Sequence, residues 1–201
     1  MKMRNNQPRY ASIAAGFVMA IGLLFLIIQV SVTAAPGEMI WYVHPGGHDG
    51  HTGTLGLPFA TIQYAIGVAG DGDTILVAAG TYTENLVITE NLTLRGGYTM
   101  SGTQWLPGTG ETVINGGRAD RVVFVHEGDA VLEYLTITGG QTPDGACWGG
   151  GVSVTNGAVT IRSSKVIDNR ADSSGCGSGG GLDANSDWGP ASLTVVDSVI
   201  A

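Results

Sequence analysis

A repeat with a step of 29 residues, running from Val123 to Cys176, constrains the fold of this chain more than any other feature. The matching pairs are Val123/Val152, Val125/Val154, Leu132/Ile161, Ile137/Val166, Gly140/Asn169 and Cys147/Cys176. Such a period is typical of a solenoid, and within it aliphatic residues alternate as they do in strands. We therefore predict an all-β fold, a right-handed parallel β-helix, in which like side chains of successive coils stack on one another.

The pattern continues beyond these two periods. Val152 returns as Leu182 after 30 residues, and Ile161 returns as Val195 after 34, because residues are inserted within 185–192. We predict about four to five coils, with the inward ladders Val123/Val152/Leu182, Leu132/Ile161/Val195 and Ile137/Val166/Ile200. The sequence stops within a strand, and an uncapped strand edge favours aggregation. We therefore expect residues 36–201 to be a β-helix truncated at its C-terminal end, the front of a longer protein.

The composition fits this fold. The 201 residues include 33 Gly, 43% hydrophobic residues and 13% charged residues. Glycine without a three-residue period excludes collagen, and the hydrophobic content excludes a disordered polar chain. Each coil needs tight turns, so we expect glycine to supply the positive φ angles of those turns.

Residues 1–35 have the pattern of an export signal. Basic residues precede an apolar stretch from Ala11 to Val32, and small residues at 32–35 suit a signal peptidase. A retained N-terminal membrane anchor is the alternative, since the stretch approaches the roughly 20 residues that span a bilayer. Either way, we expect a secreted or cell-surface protein that meets a membrane only through this segment if it is uncleaved.

The charge balance excludes one class of partner. Three of the nine Lys and Arg residues lie in the first 35 residues, which leaves six against 17 Asp and Glu in the exported part. Phosphate backbones would be repelled, so nucleic acid is not an expected partner. The acidity favours solubility outside the cell. Surface Ca²⁺ binding is the weaker alternative, and no other cofactor is predicted.

One short amphipathic helix is predicted from Thr61 to about Ala69, with Thr61 as its N-cap. We expect it to cover the N-terminal end of the solenoid, which would otherwise expose core side chains and strand edges. Its apolar stripe, at helical spacing, is Phe59, Ile62, Ala65, Ile66 and Ala69.

A loop before this helix holds His44, His48, Asp49 and His51. Histidine nitrogens with a carboxylate could bind zinc. A structural metal site needs ligands on fixed elements, however, and this loop is rich in glycine. We therefore interpret it as a polar surface loop and predict no metal site.

Two groups of motifs resemble known families. Residues 41–98, with PFATIQYAI, GDTILVAAGTYTENLVI and LTLRGGY, resemble the N-terminal capping region of secreted bacterial right-handed β-helix proteins of the pectate-lyase-like superfamily. The starts Gly-Gly-Gly-Val (149–152) and Gly-Gly-Gly-Leu (179–182), with Val-Ile-Asp-Asn ending at 169, resemble the repeats of chlamydial polymorphic outer membrane proteins. The resemblance implies an extracellular parallel β-helix. It implies no single activity, because the superfamily includes lyases, hydrolases, epimerases and adhesins.

The outward residues of one strand allow a test for catalysis. On the strands that contain Val123, Val152 and Leu182, the next residue points outward. These outward residues are Phe124, Ser153 and Asp183. A polysaccharide hydrolase needs two or three neighbouring carboxylates, and this row has one. We interpret Asp183 as a solvated surface residue and predict no catalytic residue.

Charged residues near the next strand offer a second candidate, a basic cluster such as a lyase needs. Arg162 lies one period after Glu133, so an ion pair between neighbouring coils is the simpler interpretation. An exposed pair of this kind contributes at most about 1 kcal/mol. A further group, Arg118, Asp120 and Arg121, precedes a strand and is interpreted as a turn. The members of the possible basic cluster are Arg162, Lys165, Asp168 and Arg170.

These observations favour a non-catalytic exported β-helix, a structural, adhesin-like or glycan-contacting module whose partners are extracellular polysaccharide or cell-surface components. The alternative is the N-terminal part of a polysaccharide lyase or glycoside hydrolase whose active site lies in coils beyond residue 201.

A disulfide between Cys147 and Cys176 is predicted. They are the only two cysteines, and export places them where disulfides persist. Because one period separates them, they occupy equivalent positions on adjacent coils, about 4.8 Å apart, which a disulfide accepts. Two free thiols in register are the alternative.

Overall fold

The computed structural model describes residues 37–101, 104–142, 148–171, 180–186 and 189–201. The predicted signal segment 1–35 and both cysteines lie outside these ranges. Within them, no helix is long and apolar enough to cross a membrane. The elements are β1 (Ile40–Val43), α1 (Ile62–Val68), β2 (Thr74–Ala78), β3 (Gly80–Thr83), β4 (Leu86–Ile88), β5 (Leu92–Ser101), β6 (Gln104–Leu106), β7 (Thr112–Asn115), β8 (Val123–His126), β9 (Asp129–Glu133), β10 (Leu135–Thr138), β11 (Val152–Thr155), β12 (Gly157–Arg162), β13 (Lys165–Ile167), β14 (Leu182–Asn185), β15 (Ala191–Val196) and β16 (Val199–Ile200).

The strands form three sheets that the chain visits in turn. Sheet 1 has the order β1-β2-β5-β9-β12-β15, sheet 2 the order β3-β7-β10-β13-β16, and sheet 3 the order β4-β8-β11-β14. Every pairing along these paths is parallel. Each coil therefore contributes one strand to each sheet, and the predicted parallel β-helix is confirmed. Four coils are complete, and β15 and β16 belong to a fifth.

The predicted ladders are in register. Val152 pairs with Val123 and Leu182, and the pairs Ile161/Leu132 and Ile161/Val195 occur in sheet 1. In sheet 2, the order is Ile137, Val166 and Ile200. The inner coils bury these side chains completely, whereas Val195 and Ile200 are 42% and 40% exposed, because the structure places a coil on only one side of them.

The coils are unequal in length although their strands stay aligned. One outward row of sheet 1 runs through Thr74, Thr93, Val131, Thr160 and Thr194. The steps between these residues are 19, 38, 29 and 34. The 29-residue period therefore describes the middle coils, and the other coils differ in the lengths of their corners.

Glycine supplies positive φ angles, as predicted, but the Gly-rich starts are not among these positions. Gly149, Gly150 and Gly151 do not have positive φ angles; a Cβ on Gly151 would collide with the carbonyl oxygen of Gly181. These glycines are needed because neighbouring coils approach closely. Positive φ angles occur at nine other described glycines, Gly117 and Gly139 among them, and also at seven non-glycine residues: Arg118, Glu127, Tyr134, Asn156, Ser163, Asp168 and Asp197.

Side chains of the corners bond to the backbone of the neighbouring coil. Asn169 accepts from the Gly140 amide (2.8 Å) and donates to the Ile137 carbonyl (3.0 Å). Ser164 Oγ accepts from Leu135 N at 3.1 Å, and Ser198 Oγ accepts from Ser164 N at the same distance. These bonds satisfy amides that the ladders leave free where the chain turns.

The predicted capping helix is confirmed as α1, with Thr61 as N-cap. Its first turn has no acidic residue of its own, and two carboxylates from elsewhere accept from it. Asp49 accepts from Ala60 N, Thr61 N and Thr61 Oγ1. Glu84 accepts from Ile62 N and Gln63 N. Negative charge beside an N-terminus is favourable, so the cap is tied to the coils.

The cap also occupies two strand edges. The side-chain amide of Gln63 accepts from Val87 N (2.8 Å) and donates to Val87 O (3.2 Å), as a neighbouring strand would. On sheet 1, the free edge of β1 bonds to the loop through Tyr42 N to Gly53 O, and Phe59 N to Tyr42 O. Strand edges that would otherwise invite pairing are thereby satisfied.

The segment from Gly96 to Gly110, which the sequence indicates as a loose loop, contains a hairpin. β5 extends to Ser101 and pairs antiparallel with β6, placing Met100 opposite Trp105. Trp105 packs against Tyr42 and Tyr98, with ring centroids 5.1 and 6.1 Å away. These aromatic contacts hold β6 against β1 and β5, in a segment whose glycines suggest an irregular loop.

Candidate functional site

The outer face of sheet 3 carries a row of dissimilar side chains. Val87, Phe124, Ser153 and Asp183 are aligned on β4, β8, β11 and β14, as the sequence predicts for the last three. The row has a single carboxylate. Together with Arg121 and Trp148, its residues Phe124, Ser153 and Asp183 form what we call the sheet 3 cluster.

Arg121 lies at the centre of the sheet 3 cluster. Its guanidinium carbon is 4.2 Å from the ring centroid of Phe124 and 4.3 Å from that of Trp148. The two rings are nearly parallel, 7° apart in orientation, with centroids 6.3 Å apart. A guanidinium is attracted to aromatic faces at this range, so one cation and two rings form a single surface.

The backbone before β8 holds Arg121 in place. The side-chain amide of Asn85 donates to the carbonyls of Gly116, Asp120 and Arg121 at 3.2, 3.2 and 2.9 Å. Three carbonyls that converge on one amide fix the shape of this corner. The Arg121 side chain consequently lies against the outer face of sheet 3, where it is only 12% exposed.

Burial dominates the electrostatics of the sheet 3 cluster. Desolvation lowers the pKa of Arg121, and the negative charges of Asp120 and Asp183 oppose this effect. Arg121 Nε lies 3.6 Å from Asp120 Oδ1, a long contact. The guanidinium remains charged at neutral pH because arginine starts from so high a pKa.

Arg121 Nη1 and Ser153 Oγ, in the sheet 3 cluster, are buried and have no hydrogen-bond partner among the described residues. An unpaired buried polar atom costs about 1–3 kcal/mol, so such atoms call for a partner that the described residues do not supply. A ligand with hydroxyl or carboxylate oxygens would supply one.

Comparisons with known proteins give one family and one similar solved structure. A family model described as "Protein of unknown function (DUF1565)" matches residues 45–176. The chain belongs to this family. No curated protein matches the chain significantly. A solved structure described as "Crystal structure of pectate lyase Pel9A" is similar, with a TM-score of 0.47 and 16% identity over 80% of this chain and 47% of that chain. The chain therefore spans about half the length of that lyase.

In this DUF1565 chain, the proposed basic cluster does not form a single site. Arg162 Nη1 lies 3.7 Å from Glu133 Oε1, so the predicted pair is confirmed. Lys165 bonds instead to Glu111 at 3.2 Å. Asp168 has a left-handed backbone conformation at the end of β13. Arg170 lies beside Gln141 in an isolated parallel bridge.

The Glu133 pair is not the exposed surface contact that the sequence indicates. The Glu133 side chain is only 9% exposed, and Arg95 on the coil below approaches it to 2.6 Å. Arg95, Glu133 and Arg162 are aligned in sheet 1. Glu133 is therefore held between two arginines, of which the sequence repeat revealed one.

The loop with three histidines turns its polar atoms toward its own backbone. His44 Nδ1 and His48 Nδ1 each accept from the amide two residues later, at 2.9 Å, and His51 Nδ1 lies 3.0 Å from Pro58 O. Burial by itself raises the pKa of Asp49, but hydrogen bonds from Thr61 and Ala60 outweigh it and lower that pKa. Across the described ranges, no three His, Cys, Asp or Glu residues are grouped to hold a metal ion.

The repeat pattern of this DUF1565 chain does not indicate that Arg121 packs against Phe124 and Trp148. Arg121 lies two residues before β8, where we interpreted it as part of a turn, and Trp148 lies outside the regular repeat. The available signal was the outward position of Phe124, three residues after Arg121, on a face that otherwise suggests solvent contact.

Proposed function

We propose that this chain is an exported, non-catalytic β-helix module that contacts extracellular glycans through the sheet 3 cluster. The observation that carries the proposal is Arg121 packed against two aromatic rings, with its Nη1 and the Oγ of Ser153 both lacking a hydrogen-bond partner among the described residues. The N-terminal basic and apolar segment supports export.

The chemistry of the sheet 3 cluster suits a sugar. Aromatic faces pack against the C–H faces of pyranose rings, while guanidinium and hydroxyl groups bond to sugar hydroxyls or to the carboxylates of uronic acids. Parallel strands space equivalent positions by about 4.8 Å, so an extended polymer can lie across several coils.

The non-catalytic role is supported by the partners of the carboxylates on sheets 1 and 3 and in the N-terminal cap. Asp183 is the only carboxylate in its outward row, and Glu133 is paired with two arginines. Asp49, Asp73 and Glu84 accept backbone hydrogen bonds in the N-terminal cap. The alternative, the front of a lyase or hydrolase, places its active site in coils beyond residue 201.

Binding to immobilised polygalacturonate and to a neutral β-glucan tests the proposal. Arg121→Gln is expected to weaken binding to the preferred polymer by about tenfold, because hydrogen bonds to a charged group contribute about 1.5–3 kcal/mol. Arg118→Gln is the matched control, since Arg118 occupies the same corner but is absent from the sheet 3 cluster.

Equal affinity of the two variants would refute the sheet 3 cluster as the contact. Release of unsaturated oligosaccharides from polygalacturonate by this chain would refute the non-catalytic role and favour a lyase.

A further inference from the structure

Tyr134 occupies a corner position at which the next two coils have small polar residues. The corners between sheets 1 and 2 place Tyr134, Ser163 and Asp197 directly after the aligned residues Glu133, Arg162 and Val196. All three corner residues have left-handed φ angles, of 56°, 46° and 48°. Aspartate tolerates this conformation better than a bulky aromatic residue does.

The folded chain gains little from the tyrosine ring. L-residues pay roughly 1–2 kcal/mol in the left-handed region, and Tyr134 is 51% exposed, so burial returns little of this cost. Its hydroxyl has no hydrogen bond and its ring has no aromatic partner among the described residues. Backbone strain that no contact of the side chain offsets indicates a functional role.

Tyr134 lines an open pocket at this corner. Gly97, Gly108 and Gly110 also line it and leave room above the hairpin, and Thr136, Ser163 and Lys165 give it a polar side. Glu111 also lines the pocket and accepts hydrogen bonds from two of these polar residues, Thr136 and Lys165.

Glu111 orders the polar side of the pocket through one of its oxygens. Glu111 Oε1 accepts from Thr136 Oγ1 at 2.9 Å and from Lys165 Nζ at 3.2 Å. Both bonds use Oε1, which leaves Oε2 to accept from a ligand. Lys165 retains donor capacity, since an ammonium group has three hydrogens.

We infer that this pocket binds one neutral pyranose unit, which stacks on Tyr134 and is hydrogen-bonded by Glu111 and Lys165. The carboxylate and the ammonium balance in charge, so the pocket favours hydroxyl groups over an ionised ligand. Adjacent sugar hydroxyls can donate to Glu111 Oε2 and accept from Lys165. The inference rests on the proposed contact with glycans but uses no residue of the sheet 3 cluster.

Saturation-transfer NMR with the methyl pyranosides of glucose, galactose and mannose, at millimolar concentration, tests this site. We expect transfer to at least one of them and its loss, on the order of tenfold in affinity, in Tyr134→Asn. Asparagine accepts the left-handed conformation, so the thermal midpoint of this variant should be unchanged or higher. Tyr64→Asn, at a 44% exposed tyrosine of α1, is the matched control and should leave the transfer intact.

Absence of transfer to all three pyranosides would overturn the inference, as would undiminished transfer in Tyr134→Asn. A lower thermal midpoint of Tyr134→Asn would also overturn it, because the ring would then serve the fold. Loss of polymer binding in Arg121→Gln with transfer retained would leave both sites standing. Transfer retained without any polymer binding would refute the sheet 3 cluster alone.

Discussion

The buried side chain of Asp73 joins several segments at the start of the solenoid. It is 5% exposed and accepts from Met39 N (2.7 Å), Trp41 Nε1 (2.8 Å) and Gly70 N (2.9 Å). Burial by itself raises the pKa of Asp73, but these hydrogen bonds outweigh it and lower the pKa. One ionised carboxylate thus joins β1 to the corner between α1 and β2.

We predict that Asp73→Asn lowers the free energy of unfolding at pH 7 by about 1–3 kcal/mol, because its amide nitrogen cannot accept from Trp41 and Gly70. A lowered folded-state pKa gives stability that is present above the unfolded pKa, near 4, and lost as pH falls through the folded value. The difference between wild type and variant should therefore shrink in urea unfolding at pH 3. A constant difference from pH 7 to pH 3 would contradict this account.

Gly151 is needed where two neighbouring coils approach closely. Gly151→Ala should destabilise the protein by at least about 1–3 kcal/mol, because the new methyl group overlaps the Gly181 carbonyl and the Val166 side chain. Gly67→Ala, in α1 with no atom within 4 Å of the added carbon, should stabilise it by about 0.5–1 kcal/mol. Thermal unfolding of both variants checks the pair, and equal effects would refute close approach as the reason for Gly151.

The outer face of sheet 1 carries a charge ladder across three strands. Glu133 lies between Arg95 at 2.6 Å and Arg162 at 3.7 Å. The two arginines are 27% and 53% exposed, so the inner contact is the stronger one. Removing Glu133 would leave Arg95 partly buried without its partner.

We predict that Glu133→Gln costs about 2–3 kcal/mol and Arg162→Gln less than about 1 kcal/mol, measured by urea unfolding. The double variant Glu133→Arg with Arg162→Glu restores that pair but sets a new cation against Arg95. It should therefore be less stable than wild type, although the sequence repeat alone suggests a neutral exchange. A neutral double variant would show that Arg95 contributes nothing.

The ladders were predictable because aliphatic residues recur at one spacing, as with Val123, Val152 and Leu182. Features outside the period were not. Arg95 lies 38 residues before Glu133, on a coil of different length, and Arg121 acts through a corner that Asn85 holds from another coil. Contacts that depend on corner length leave no periodic signal in a sequence.

For the whole molecule, the cysteine pair remains a prediction, since Cys147 and Cys176 lie outside the described residues. The chain on either side of their loops is adjacent between coils. Thr142 N donates to Arg170 O, and Gly151 N donates to Gly180 O, at 3.2 and 3.0 Å. The two loops thus begin side by side and end side by side.

We expect a disulfide that stabilises the protein by about 3 kcal/mol in the chain-entropy model. Counting thiols on unfolded, unreduced protein should give none per chain, and reduction should lower the thermal midpoint. Two thiols per chain in the exported protein would show the bridge to be wrong.

The side chain of Gln63 and the loop that pairs with β1 satisfy strand edges at the capped end of the solenoid. Backbone groups that are already bonded cannot recruit a strand from another molecule, so these two sheets offer no template at the cap. In a fibre of β-proteins, each added molecule must expose an unpaired strand edge to which the next molecule can bond. A polymer of this protein that grew through sheets 1 and 3 would therefore have to grow away from the cap, which would be an inert end for those two sheets.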